Sequence, residues 1–169
     1  MSDVVGPDVL HVWHLSLRAS EEARRRGDRR TGTDHLMLGL LELPSIEAML
    51  GATLHQARQA LDSLDQDAFR AVGIGSAGDA PHLPMRAVPK KPSIRAVMTR
   101  DRLPMTPVAK HVLERAVTGM GRKTEVGADE VLAQLLALRP PDPAAALVAT
   151  LGIDTSAVRH RLHATRRDS

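Results

Sequence analysis

The 169-residue chain contains no cysteine and no tyrosine, and its only aromatic side chains besides histidine are Trp13 and Phe69. Without cysteine it has no disulfide, no thiolate nucleophile and no thiolate-bound metal. With so few aromatics, a core must be built from Leu, Val, Ala and Met, a palette that suits close-packed helices better than strands. No apolar run approaches the ~20 residues needed to span a bilayer, and no charged-then-apolar leader opens the chain. The phosphate-loop pattern G-x-x-x-x-G-K-[ST] is also missing. "GIGSAG" from Gly73 to Gly78 lacks the lysine and the strand-to-helix setting that would give it that meaning. A soluble, cytoplasmic protein without membrane association is the expectation.

What is present is enough for one ordinary domain or two small subdomains sharing a core, at 43% hydrophobic residues. The sequence pI of 9.9 suggests nucleic acid until the charge is located. From Gln66 to Pro104 there are seven Lys/Arg against three Asp/Glu, a local net of +4. The remainder is close to neutral, so the basic excess sits in one segment and nucleic acid is not the expected partner. "RRRGDRR" from Arg24 to Arg30 lacks interleaved aromatics and reads as a solvated helix end.

One element is written twice. "GTDHLMLGLLE" from Gly32 to Glu42 recurs as "GADEVLAQLLA" from Gly127 to Ala137, an offset of 95. Before it, His14, Leu15, Ala19 and Ala23 match His111, Val112, Ala116 and Met120 at an offset of 97. After it, "LGATLHQARQAL" from Leu50 matches "LGIDTSAVRHRL" from Leu151 at an offset of 101. Length changes therefore fall between elements, as they do when helical units duplicate and diverge.

Each repeat reads as four helices. In the first, Pro7 can open a helix whose Leu15, Ala19 and Ala23 keep one apolar face, with Arg24, Arg25 and Arg26 at the negative end of its dipole and Gly27 as the stop. Thr33 can cap the second helix with Asp34 in its first turn, Pro44 begins a third, and Thr53 with Gln56 forms a capping box for the fourth. Thr106-Pro107, Asp129, Pro143 and Asp154 offer the corresponding starts in the second half. The expected organisation is repeat one over 1–72, a Pro/Gly-rich, flexible basic linker over 73–104 and repeat two over 105–165. The expected fold is all-α, two tandem four-helix repeats related by a pseudo-twofold, with no β-sheet.

These residues resemble a known family. The pattern A-x-x-x-A, then G-T-[DE]-H-L-L-x-x-L-L, then L-G-x-x-x-x-x-x-R is similar to the N-terminal domain of Clp-type AAA+ unfoldases. "ASEEARRRGDRRTGTDHLMLGLLE" carries it most strongly, and "MTPVAKHVLERA" from Met105 resembles the family's opening to its second repeat. The likeness spans about residues 8–65 and 105–165. It implies a non-enzymatic module that docks substrates and adaptors for an ATPase motor. With no motor in the sequence, the chain is read as a free-standing docking domain that modulates or decoys the Clp protease system, with no cofactor.

The resemblance also implies sites. In one branch of the family, acids at the positions of Asp34 and Asp129 grip phosphorylated arginine, a carboxylate taking the guanidinium while helix amides hold the phosphate. Here Thr33 precedes Asp34, and each Asp stands where the family has Glu. The plain account of both acids is helix-dipole complementation, worth about 0.3–1 kcal/mol. Small cyclic antibiotic peptides also bind this family, which points to Val5, Trp13, Met105, Thr106, Pro107, Lys110 and Glu114 as a peptide-binding surface. Lys110 and Glu114 are equally an ordinary surface ion pair, and Trp13 equally a core anchor.

Two other readings use the same residues. One is a regulator of another pathway that kept the fold. The other is a metal-dependent hydrolase built on His11, His14 and His35, although no H-E-x-x-H or comparable motif is present. No resident metal is expected, and the recurrence of His14 as His111 implies a packing role common to both repeats. The charge distribution gives a first prediction. Purified protein should neither hydrolyse ATP nor hold duplex DNA at physiological salt, since +4 on one segment supports only weak, salt-sensitive contact. Filter binding that stays sub-micromolar as salt is raised would contradict it.

Overall fold

The computed structural model describes residues 9–73, 102–120 and 125–167. In chain order it contains strand β1 (Val9–His11), helices α1 (Val12–Arg26), α2 (Thr33–Leu40), α3 (Pro44–Leu50) and α4 (Leu54–Ala71), then α5 (Pro107–Met120), strand β2 (Glu125–Gly127), α6 (Ala128–Leu136), α7 (Pro143–Thr150) and α8 (Thr155–Arg167). The architecture is all-α, with four described helices on each side of residues 74–101. Pro7 and most of the segment read as a linker lie outside the described residues.

Local signals explain most of the boundaries. Thr53 accepts from the Gln56 amide while Gln56 Oε1 accepts from the Thr53 amide at 2.8 Å, closing the expected capping box of α4. Asp154 caps α8 by accepting from Ser156 and Ala157, and Asp142 caps α7 by accepting from Ala144. Pro44 and Pro143 open α3 and α7, and these helices are followed by Gly51 and Gly152 in left-handed conformation at φ 66° and 65°. Corresponding positions in the two halves thus share their punctuation.

The expectation of no β-sheet is corrected at one place. β1 and β2 form a two-stranded antiparallel ladder, with Val9 opposite Gly127, Leu10 opposite Val126 and His11 opposite Glu125. Each strand leads into a helix and carries backbone groups that need partners, and the fully buried Val126 sits in the middle of the pairing. Three residues are too few for an alternating pattern to be read from sequence.

α2 organises the core. Every residue from Thr33 to Leu40 is buried, and the helix touches α1, α4, α5, α6 and α7. A helix apolar on all sides must be enclosed, and Leu36, Met37, Leu38 and Leu40 are at most 1% exposed. Leu15 and Ala19 of α1, Val112 and Ala116 of α5, and Leu132 and Leu135 of α6 belong to the same cluster. His14 and His111 are exposed, which corrects the packing role read from their recurrence. Their neighbours Leu15 and Val112 carry that role instead.

One buried carboxylate braces the first half. Glu22 of α1 is 4% exposed and accepts from both Nε and Nη2 of Arg58 on α4 and, at 3.1 Å, from Nε of Arg25. Burial pushes its pKa up, but the hydrogen bonds and charges of Arg58 and Arg25 outweigh that and leave it below its ordinary value of 4.5. Nearby Glu42 shifts the other way: burial raises it and Arg18 at 3.4 Å only partly offsets the rise.

A depressed carboxylate stabilises the fold fully above its unfolded pKa and loses that contribution as pH falls through the folded value. Glu42, raised, opposes this slope. Glu22→Ala should cost about 2–3 kcal/mol at neutral pH, somewhat under the value for breaking a fully buried pair because Arg58 is one-third exposed. Urea titrations from pH 7 to pH 3 should show wild type losing more stability than the variant. Parallel curves would contradict the assignment.

Candidate functional site

The first turn of α2 borders a groove of about 400 Å³. Its walls come from both halves: Arg26, Gly32, Asp34 and His35 on one side, Leu61, Leu64 and Asp65 of α4, and Thr106, Pro143 and Ala146 from the second half. The backbone holds these parts together. The Thr31 amide donates to Pro104 O and the Thr106 amide to Thr31 O, both at 2.9 Å, which pairs Thr31 with Met105 in a parallel bridge. The Ser20 hydroxyl accepts from the Leu103 amide and contacts Thr31 Oγ1 at 3.2 Å.

Capping at α2 differs from the sequence reading. Gly32, not Thr33, is the N-cap, and His35 Nδ1 accepts the Gly32 amide at 2.9 Å. Thr33 is the first helical residue. Its hydroxyl donates to Asp142 Oδ1 at 2.8 Å, so the carboxylate that caps α7 also anchors the start of α2. A Cβ at position 32 would lie 2.4 Å from Asp34 Oδ1, so any larger residue there would displace that carboxylate.

Asp34, which the sequence offers as a first-turn dipole partner or a guanidinium-gripping acid, is only 7% exposed. Its carboxylate lies 3.2 Å from His35 Nδ1 and 3.8 Å from Nη1 of Arg26. This guanidinium is 10% exposed and sits among three carboxylates, with Nη2 at 2.6 Å from Asp65 Oδ2, Nε at 3.5 Å from Asp28 Oδ2 and Nη1 at 3.8 Å from Asp34 Oδ2. Arg26 Nη1 is buried without a hydrogen-bond partner. His35 is 3% exposed and places Nε2 3.0 Å from Asp28 Oδ2. Arg30 also lines the groove, so two guanidiniums, one of them under-bonded, three carboxylates and the amide end of a helix make it suited to a small ligand bearing both charges.

The other candidate residues are distributed more widely. Asp129 stands half-buried in the first turn of α6 and lines neither this groove nor the larger one in the second half. Thr106 accepts from the Ala109 amide as the start of α5 and also lines the α2 groove. Met105 is half-buried, Pro107 is exposed, and Lys110 and Glu114 form an exposed pair at 3.6 Å. Trp13 is 40% exposed, which corrects its reading as a core anchor, and the Arg102 guanidinium lies 3.6 Å above its ring. Val5 lies outside the described residues.

His11 and His14 meet edge to face at 5.7 Å, and no group of three or more His, Asp or Glu able to hold a metal occurs among the described residues. Among these residues no helix is long and apolar enough to cross a membrane.

Sequence reasoning missed Arg26, Asp28 and Asp65. Arg26 reads as one of five arginines at a helix end, and nothing local separates it from Arg24 or Arg25. Helical phase is the available signal, since Arg26 follows Leu15, Ala19 and Ala23 around the buried face.

No family profile matches the sequence, and no curated protein matches it. Among solved structures it is similar to the N-terminal domain of the caseinolytic protease associated chaperone ClpD from Arabidopsis thaliana. The TM-score is 0.54 at 20% identity, over 89% of this chain and 91% of that one. The chain has the fold of a Clp N-terminal domain.

Because Asp34 is buried against Arg26, its removal costs more than the loss of an exposed first-turn acid. Asp34→Ala should lower stability by about 1–3 kcal/mol, whereas Asp129→Ala should stay within about 1 kcal/mol. Equal midpoints and slopes for both variants in urea denaturation would contradict the placement of Asp34.

Proposed function

We propose that the chain is a non-enzymatic docking module in which residues 1–72 and 105–165 act as one unit, and that its ligand seats in the groove at the start of α2. The observation that carries this is the buried, under-bonded Arg26 Nη1 facing Asp34 beside the α2 amide end. The amides of Thr33 and Asp34 belong to the first turn, where no carbonyl lies one turn back to bond them. A phosphoarginine side chain matches this charge layout. Its phosphate would take the helix amides and Arg26, while its guanidinium would replace Arg26 as the partner of Asp34. Thr33 contributes its amide only, because its hydroxyl is held by Asp142. Asp129 would form a weaker second site, with Ala128 at the position corresponding to Thr33.

In this reading the module receives substrates or adaptors of a Clp protease system, and supplements or competes with the docking domain of the unfoldase. A second ligand class, small cyclic peptides, is favoured by the half-exposed Trp13 and the 45% exposed Val108. The surface from Trp13 through Met105, Thr106 and Pro107 to Lys110 and Glu114 would carry it.

Calorimetry with free phosphoarginine tests the first reading, with arginine and inorganic phosphate as controls. Wild type should bind phosphoarginine and neither control, Asp34→Ala should lose roughly tenfold or more in affinity, and Asp129→Ala should lose less. No heat with folded wild type would remove phosphoarginine as the ligand. Trp13 is the only tryptophan, so its emission reports directly on the peptide surface.

A further inference from the structure

The two halves share L-G-x-x-x-x-x-x-R, ending at Arg58 and Arg159, but these arginines meet opposite surroundings. Arg58 donates to both carboxylate oxygens of Glu22, and Glu42 adds a second negative charge. Arg159 donates to the backbone carbonyl of Leu136, and among the described residues no carboxylate pairs with it. At the offsets of the repeat, Glu22 corresponds to Gly119 and Glu42 to Ala137. Neither acid has a counterpart in the second half.

Arg159 stands at a groove of about 600 Å³ between the end of α6, α7 and the start of α8, within the size range of ligand sites at about 300–1,000 Å³. Leu135, Leu136, Val148 and Ile153 supply apolar lining, and Arg139 is the other charged residue. No acidic residue lines it. Arg159 itself is exposed, so a carboxylate would meet it as a charge-assisted hydrogen bond at the edge of these apolar walls, where solvent still screens the pair in part.

We propose that this second groove docks a segment of a partner protein in which a glutamate side chain lies beside aliphatic residues, the glutamate meeting Arg159 as Glu22 meets Arg58. A side-chain carboxylate is the occupant favoured here. The first half already shows one, Glu22, on a helix with the buried Ala19 and Ala23, satisfying the arginine of the same motif. The groove shares no lining residue with the one at α2, so this proposal and the phosphoarginine reading stand or fall separately.

The test uses the full chain, isotope-labelled for NMR, and a five-residue peptide of leucine and alanine with one central glutamate, blocked at both ends. Amide shifts should move at Ala137, Leu138 and Ile153 and leave Gly32 and Asp34 in place. Arg159→Ala, and separately a glutamine-for-glutamate peptide, should each weaken binding by about tenfold. Ala137→Glu, at an exposed position, should do the same by supplying an internal carboxylate as Glu42 does beside Arg58. Circular dichroism establishes that both variants fold. Absence of shifts at millimolar peptide, equal binding of the glutamine peptide, or unaltered affinity in both variants overturns the proposal. So does tighter binding of a glutamate-free peptide with an open C-terminus, or concentration-dependent shifts at the same residues without peptide, which would assign the groove to a chain end or to a second copy.

Discussion

The two halves cannot be parted without breaking backbone hydrogen bonds, and everything else in the molecule depends on that interlock. β1 precedes the first helix yet pairs with β2 in the second half. Thr31 exchanges two amide bonds with the segment leading into α5, and Thr33 donates to the cap of α7. Each such bond contributes only about 0.5–1.5 kcal/mol net, but a buried group left unpaired costs more. The joint is therefore stabilised less by the bonds it makes than by the absence of alternatives for the same groups.

This joint encloses α2. A helix with no polar face cannot lie on the surface of a single four-helix unit, so its burial requires α5, α6 and α7 from the other half as well as α1 and α4. Only its amino end reaches the edge of the core, and there the chain places its polar side chains. The candidate site consequently stands on a rigid element, with walls drawn from both halves. Arg26 fits the same logic: the last turn of α1 delivers a guanidinium into a setting with three carboxylates and little solvent, where its charge is balanced but one of its nitrogens is not bonded.

Much of the fold was legible because it rests on local rules. The Thr53–Gln56 box and the proline starts at Pro44 and Pro143 depend on residues a few positions apart, and each is readable from the sequence. What was not legible depends on distant partners. Thr33 has the right chemistry for a cap, but its hydroxyl is claimed by Asp142 from the second half, and His35 takes over the capping of Gly32. Asp34 reads as an exposed dipole partner because nothing within its own helix reveals that Arg26 folds over it. The β1–β2 ladder joins segments more than a hundred residues apart, each too short to show a period.

The same distinction separates the surfaces of the two halves, whose sequences match at apolar positions but not in charge. Packing is conserved between the halves at the level of apolar positions, with Leu15 matching Val112 and Leu61 matching Leu162, all buried. Charge does not follow packing. In the first half Arg25, Arg26 and Arg58 each find a carboxylate within the chain, so a ligand that engages these groups must exchange one pairing for another. In the second half Arg159 has a backbone carbonyl and an apolar groove beside it, so a ligand can add a charge pair without displacing an existing one. Exchange favours selectivity, since only a ligand carrying both charges can replace what it removes. Addition favours tolerance, since any segment that brings a carboxylate and fills the groove gains from both. On the two proposals, the second groove would hold a broad class of ligands and the first would discriminate among them.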